Sequence, residues 1–370
     1  MASAESFRGK HVFVTGHTGF KGSWLVMLLR RLGAHVTGYS LKPATHPSLF
    51  EAAKLRQLVH VHHEADIRDT ARLATAVEAS RPHVIMHLAA QPLVRLSHRD
   101  PLETFSTNVV GTASVLDAVR AMKQPCAVIV VTSDKCYEPN DDGRPHNESD
   151  PMGGRDPYSA SKGAAELVAA AYRRSYFPPQ RLAEHGVQLA TVRAGNVIGG
   201  GDWADNRIVT DIVGHLVAGK PVPVRNPSAI RPWQHVLEPL SGYLSLAESM
   251  LLQPDARWCA GWNFGPPPGS DVTVAELTEL FIEAWGSGAW VNAHDPSAVV
   301  ETHVLRLTID KAVAELLWRP RLSAREAIRR TASWFRAFTS TGTSCRELCE
   351  TEIRSYESLE FPTARLPEIV

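Results

Sequence analysis

Three glycines, Gly16, Gly19 and Gly22, lie between an apolar run and an amphipathic one, and they constrain this chain more than any other feature. His11–Thr15 reads as a strand, and Trp24–Arg31 repeats its apolar residues at helical spacing. A strand that passes into a helix through glycines has a physical use. Glycine accepts positive φ in the turn, and the missing side chain lets the backbone approach a diphosphate. The helix N-terminus then offers unpaired amides and the positive end of its dipole. The spacing is GxxGxxG, not the GxGxxG of the standard dinucleotide fingerprint, but it stands at the first strand-to-helix junction. It predicts a dinucleotide cradle.

The pattern continues. Strands are expected at His35–Tyr39, Val59–His62, Val84–Leu88, Ala127–Val131 and, closing the series, Leu189–Arg193; helices at Thr70–Ser80, Thr107–Met122 and Pro157–Tyr176. Strands alternating with helices predict an α/β fold, a doubly wound parallel sheet of the Rossmann type with both faces covered. After Gly199 the texture changes, with Gly199-Gly200-Gly201, Pro221, Pro223, Pro227 and Pro232. We expect residues 1–198 to form the dinucleotide-binding domain with the catalytic residues. Residues 199–338 are expected to be mainly a smaller substrate-binding lobe, and 339–370 a tail of unclear role. The second strand ends Gly38-Tyr39-Ser40, without an acidic residue for a ribose 2′-hydroxyl, so these residues leave the choice of dinucleotide open. Asp66-Ile67, after the third strand, has two readings: a hydrogen bond to adenine, or a helix cap.

Bulk properties narrow the function. Lys+Arg and Asp+Glu both number 39, so the whole molecule presents no electrostatic footprint for nucleic acid or an anionic membrane. No stretch approaches the roughly 18 apolar residues of a membrane span, and the N-terminus is polar and unlike a signal peptide. Cys126, Cys136, Cys259, Cys345 and Cys349 are odd in number and scattered, which points to reduced thiols in the cytoplasm. No metal site is expected.

Tyr158 and Lys162 stand four residues apart at the start of the long helix, hence on one face. An ammonium near a phenol favours phenolate, which would make Tyr158 a general base. The strand before it ends in Thr132-Ser133-Asp134-Lys135, polar residues at the carboxyl end of a parallel strand, where open α/β sheets bind ligands.

Together GHTGFKG, LAAQPLVR, TSDKCYE, DPMGGRDPYSASK, RAGNVIGGGDW and IRPWQHVLEPLSGY resemble the CDP-glucose 4,6-dehydratases, members of the extended short-chain dehydrogenase/reductases. The likeness runs from about Lys10 to Phe335. It implies NAD as cofactor, CDP-glucose as substrate and a homodimer joined through the helix carrying Tyr158 and the one near Thr107–Met122. By resemblance, Gly16, Thr18, Gly19, Phe20, Lys21, Gly22, Asp66, Ile67, Leu88, Ala89, Ala90, Tyr158 and Lys162 hold the cofactor, and Gln91, Asn196, Arg207 and Arg231 hold the substrate. Ser133, Asp134, Lys135, Tyr158 and Lys162 are implied to be catalytic. Tyr158 takes the 4-hydroxyl proton, oriented by Ser133 and Lys162, and Asp134 protonates the departing C6 hydroxyl. Lys135 stands where the dTDP-sugar branch carries Glu; it either removes the C5 proton or stabilises the enolate.

Other residues carry two readings. Trp203 and Trp233 either flank the ligand or pack, Asp202 either reads the nucleotide or makes a turn, and His87 reads best as a core histidine. Three departures from the family's pattern bear on substrate choice. Glu138–Asp150 lacks tryptophan, Arg155 replaces an aromatic residue, and Glu301–Leu307 is degraded. Competing readings are an epimerase or dehydratase for another nucleotide sugar, and a non-catalytic dinucleotide-binding protein.

Overall fold

In the computed structural model, which describes residues 2–140, 142–205, 207–293 and 305–359, the chain enters the sheet at once. Strand β1 (His11–Thr15) leads into helix α1 (Phe20–Arg31), and β2 (His35–Ser40) and β3 (Val61–Glu64) follow. Next come α2 (Thr70–Ser80), β4 (Val84–His87), α3 (Gly111–Met122), β5 (Cys126–Val131), α4 (Pro157–Ser175) and β6 (Val187–Arg193). Later elements are α5 (Leu237–Leu252), β7 (Gly261–Asn263), α6 (Ala324–Ser340) and α7 (Cys345–Glu357).

The central sheet has the order β7-β6-β5-β4-β1-β2-β3, and every neighbouring pair is parallel. Side chains alternate across it. Val12 and Val14 of β1 join the core on one face, with Val84, Met86 and Ile129, while Phe13 joins Ile85, Val128 and Val130 on the other. Burial on both sides explains why β5 reads as an unbroken apolar run and β4 as apolar up to His87.

The expected doubly wound sheet is present, with three corrections. Leu189–Arg193 does not close it: Trp262 and Asn263, beyond Gly199, pair with Val192 and Arg193 as a seventh strand. The expected helix from Thr107 begins as a π-type turn, Ser106–Val110, before α3 proper. The stretch after Thr339 is not a loose tail over its described part. Cys345, Cys349, Ile353 and Tyr356 of α7 are buried, and the Arg31 guanidinium grips Glu357 at 2.6–2.9 Å. Of the segment Glu301–Leu307, residues 301–304 lie outside the described residues, as do 360–370.

α7 is fastened by a buried carboxylate. Glu238 accepts from the backbone amides of Arg321 (3.0 Å) and Leu322 (2.7 Å) and from the Tyr356 hydroxyl (2.9 Å). Tyr356→Phe leaves that carboxylate without one donor. It is expected to cost about 1–3 kcal/mol, read as a lower urea midpoint at unchanged slope in circular dichroism.

Candidate functional site

β1 leaves the sheet between β4 and β2, where the strand order reverses, the usual ligand position of such sheets. Gly16 has φ +74°, and a Cβ on it would stand 2.7 Å from the Ala89 amide nitrogen; one on Gly22 would stand 2.1 Å from the Gly16 carbonyl. Only glycine permits this closeness. Thr15 accepts from Leu88 N at its carbonyl (3.1 Å) and from Ala89 N at Oγ1 (3.2 Å), which lays Leu88–Ala90 along the turn. Gly19 opens α1 with no side-chain cap, so its side takes up none of the first-turn amides. The Thr18 hydroxyl bonds Ser40 Oγ (2.8 Å) and the Leu41 carbonyl (2.9 Å), fastening the turn to β2.

Asp66 does not cap a helix. Asp69 caps α2, accepting from Arg72 N at 3.1 Å, while the Asp66 carboxylate takes Arg68 N (2.8 Å) and the Arg68 fork. Those bonds hold it below the usual carboxylate range. Ile67 is buried where α3 comes close: a Cβ on Gly111 would stand 2.4 Å from Ile67 Cδ1.

The reactive groups come from the ends of β5 and α4. Asp156 caps α4 by accepting from Ser159 N (3.0 Å), and Pro157 takes the first helical position, so Tyr158 falls in the first turn. Ser133 caps the short turn Asp134–Cys136, accepting from Lys135 N (3.2 Å) and donating to Asp134 Oδ1 (2.8 Å), and its hydroxyl also bonds the Tyr158 phenol. Asp134 lies flat on backbone: a Cβ on Gly195 would stand 1.7 Å from its Oδ2. Lys135 is half-buried beside it.

Burial governs the charges. It pushes the Tyr158 phenol up to about 12, against the Ser133 hydrogen bond, and pulls the Lys162 amine down to about 8, against Cys136 and Glu166. The expected lowering of Tyr158 by Lys162 is therefore corrected. The Lys162 ammonium donates to the Val131 carbonyl (3.4 Å), and desolvation of the phenol outweighs its neighbours. Lys21 is also pulled down to about 8, by burial and by the like charges of Lys162 and Arg207.

Four predicted substrate residues divide. Asn196 stands next to Gly195 at φ +50°, a conformation asparagine tolerates, and its carbonyl accepts from Gln234 N (3.2 Å). Arg207 is brought in: it pairs with Asp202 (3.4 Å), and its charge acts on both Tyr158 and Lys21. Arg231 lies on a ribbon with Val272–Thr273, its guanidinium donating to the Ile230 carbonyl (2.8 Å). Gln91 is buried in the turn after β4. Its amide donates to Thr104 Oγ1 and the Leu93 carbonyl and accepts from Leu93 N, so both ends are engaged within the protein.

Trp203 packs against Trp334, Phe335 and Phe338, and Trp233 is buried. Asp202 makes a turn to Ala204 N (3.2 Å) as well as the Arg207 pair. His87 is a satisfied core histidine between Thr15 (2.7 Å) and Thr112 (3.1 Å), pulled down to about 3 by burial. Among the described residues no group of three His, Cys, Asp or Glu is arranged for a metal ion. Two residues went unread in the sequence. Asn108 ties Gln91 to Ser161, and Glu166 lies under the strand ends. A single acid in the alanine-rich run of α4 was the available signal for Glu166.

The model of the NAD dependent epimerase/dehydratase family matches residues 12–254. The chain is similar to a CDP-glucose 4,6-dehydratase of Salmonella typhimurium, 46% identical over 338 residues, covering 91% of this chain and 94% of that protein. A dTDP-glucose 4,6-dehydratase of Streptomyces antibioticus is 32% identical over 275 residues, 73% of this chain and 75% of that one. Among solved structures, a UDP-glucose 4-epimerase from Thermus thermophilus in complex with NAD superposes with a TM-score of 0.71 at 25% identity, covering 88% of this chain and 99% of that one.

Gly195→Ala cannot be accommodated without moving Asp134. Turnover is expected to fall at least about 100-fold, with the far-ultraviolet circular dichroism spectrum retained.

Proposed function

The chain belongs to the NAD dependent epimerase/dehydratase family, and from that premise we propose that it converts CDP-glucose to CDP-4-keto-6-deoxyglucose. The observation that carries this reading is the Ser133–Asp134–Lys135 turn, with buried Ser133 bonded to Tyr158, buried Asp134 seated on Gly195, and half-buried Lys135 beside them. A 4-epimerase eliminates nothing and has no use for an acid and an amine next to the hydroxyl pair. The 46% identity to a CDP-glucose 4,6-dehydratase supports the nucleotide and the sugar.

NAD fits the residues present, because Gly16 and Gly22 close the turn onto backbone where no side chain could stand, and Gly19 opens α1 without a side-chain cap, leaving first-turn amides for a diphosphate. NAD bound there would supply the hydride acceptor for C4 of the sugar and, once reduced, the hydride for C6. Gly16–Gly22 and Leu88–Ala90 would hold it, with Asp66 and Ile67 toward the adenine. Tyr158, linked to Ser133, removes the proton of the 4-hydroxyl. Because burial favours the neutral phenol, the Ser133 hydrogen bond and the nearby charge of Arg207 are what favour loss of its proton. The 4-keto group acidifies the C5 proton, which Lys135 removes, or which another base removes while Lys135 stabilises the enolate; the same base returns a proton to C5 when C6 is reduced. Asp134 donates a proton to the C6 hydroxyl, which departs as water. Asn196, Arg207 and Arg231, from the segment after β6, would take the diphosphate, for which the guanidinium fork is suited.

The proposal extends to a homodimer. Leu102, Phe105, Val110 and Leu167, from the segment before α3 and from α4, are exposed. The five free, buried cysteines support a reducing, cytoplasmic setting.

Purified protein given CDP-glucose and NAD should yield the alkali-induced absorbance of a 4-keto-6-deoxy sugar, with UDP-glucose and dTDP-glucose run in parallel. Turnover of another nucleotide sugar instead would move the substrate and keep the chemistry. No turnover of any would sink the reading. Tyr158→Phe should lower turnover about 10²–10⁴-fold. Light scattering should give twice the 40.5 kDa chain mass; a single chain mass would end the dimer proposal.

A further inference from the structure

Tyr158, Lys162 and Glu166 follow one another at four-residue steps along α4 and so share a stripe of that helix. The third member touches no expected ligand. Glu166 is 5% exposed, and its carboxylate receives four hydrogen bonds, none from its own helix. Thr132 Oγ1 donates at 2.6 Å, Thr191 Oγ1 at 2.7 Å, and Arg193 through Nε at 2.8 Å and Nη2 at 2.9 Å. The third arm of Arg193, Nη1, donates to the Tyr137 hydroxyl at 2.6 Å, and that hydroxyl donates to Asn263 Oδ1 at 2.7 Å. β7 makes room for the guanidinium with a glycine: a Cβ on Gly261 would stand 2.5 Å from Arg193 Nη2.

The sequence positions of these partners matter. Thr132 immediately precedes Ser133, and Tyr137 immediately follows the turn Asp134–Cys136. One buried ion pair therefore clasps the reactive turn at both ends and ties it to the helix carrying Tyr158 and Lys162. We propose that Glu166, paired with Arg193, is a positioning residue: it aligns the Ser133–Lys135 turn against the Tyr158–Lys162 face and supplies the negative charge that keeps Lys162 an ammonium.

The charged and titratable groups acting on Lys162 come from several elements. Glu166 lies on its own helix and Cys136 on the reactive turn, and Lys162 interacts with Lys21 of α1 and His87 of β4. His87 is held neutral by burial, and the burial that raises the Cys136 thiol well above its usual range keeps it neutral too. Lys21 opposes the ammonium. Glu166 is thus the formal anion of the set. Burial alone would raise its carboxyl, but Arg193 and the hydroxyl donors more than offset this and hold it ionised. Replacing it by Gln removes that charge and leaves Arg193 buried without its counter-ion.

The test follows Lys162 directly, by the pH titration of its ε-carbon in ¹³C-lysine protein, assigned with Lys162→Met. The mechanistic half rests on the dehydratase reading; the titration does not, because it needs no substrate. Glu166→Gln is expected to move the Lys162 midpoint down by about one pH unit and to shift the alkaline limb of kcat the same way, with KM for CDP-glucose within about twofold. Glu166→Asp keeps the charge and should restore the midpoint. Thr132→Val keeps the charge and loses one clasp, so it should lower kcat about 3–10-fold with the midpoint unmoved. A folded Glu166→Gln that titrates like the wild type overturns the proposal. Should that variant fail to fold, a wild-type kcat in Thr132→Val overturns it. A wild-type protein that turns over no nucleotide sugar, yet shows the Lys162 shift, sinks the dehydratase reading alone.

Discussion

Close backbone approach at glycine is the constraint on which the rest of this structure depends. A parallel sheet delivers the carboxyl ends of its strands to one edge, but it does not decide how near the exits of different strands come. Gly16 against Ala89, Gly22 against Gly16, and Gly195 against Asp134 set those distances, each at a spacing no other residue permits. The first two bring β1, α1 and β4 together into a cradle of backbone amides. The third brings the exits of β5 and β6 together and seats a carboxyl on bare backbone. Cofactor cradle and acid turn are thereby fixed in one frame, and the loops beyond β6 have only to supply cations and shape.

Within that frame burial is stronger than pairwise charge. It lifts the Tyr158 phenol and lowers the amines of Lys21 and Lys162, so the protein alone favours a neutral tyrosine among weakly held cations. Such a site suits an anionic diphosphate, whose charge would re-stabilise the ammonium groups, better than it suits a neutral ligand. The buried ion pair Glu166–Arg193 is the exception: four hydrogen bonds to the carboxylate offset its desolvation.

Sequence reasoning was strongest where periodicity and chemistry coincide. His11–Thr15 and Thr70–Ser80 were placed to the residue because an apolar strand and an amphipathic helix leave different spacings. The turn Ser133–Lys135 and the pair Tyr158 and Lys162 were legible because polar residues at a strand exit have few other uses. What failed depended on the third dimension. Three residues, Gly261–Asn263, are too short a strand to stand out, yet they complete the sheet. Asp66 carried a capping reading beside the adenine one, but the backbone path makes Asp69 the cap and turns Asp66 onto Arg68.

The tryptophan-free segment Glu138–Asp150 shows how a loop departs from a family's pattern without loosening the site. Asp150 collects Arg144 (2.7 Å) and His146 (3.0 Å), and the His146 ring stacks on Tyr137 at 4.7 Å and 8°. His146 also accepts at its carbonyl from Asn263 Nδ2 (3.1 Å) and pairs by backbone with Arg306 and Thr308. The loop therefore rests on Tyr137 and Asn263, the same two residues that Arg193 reaches. Its inner side is thus held by the network that holds the reactive turn, so the absence of tryptophan from the loop does not loosen that turn.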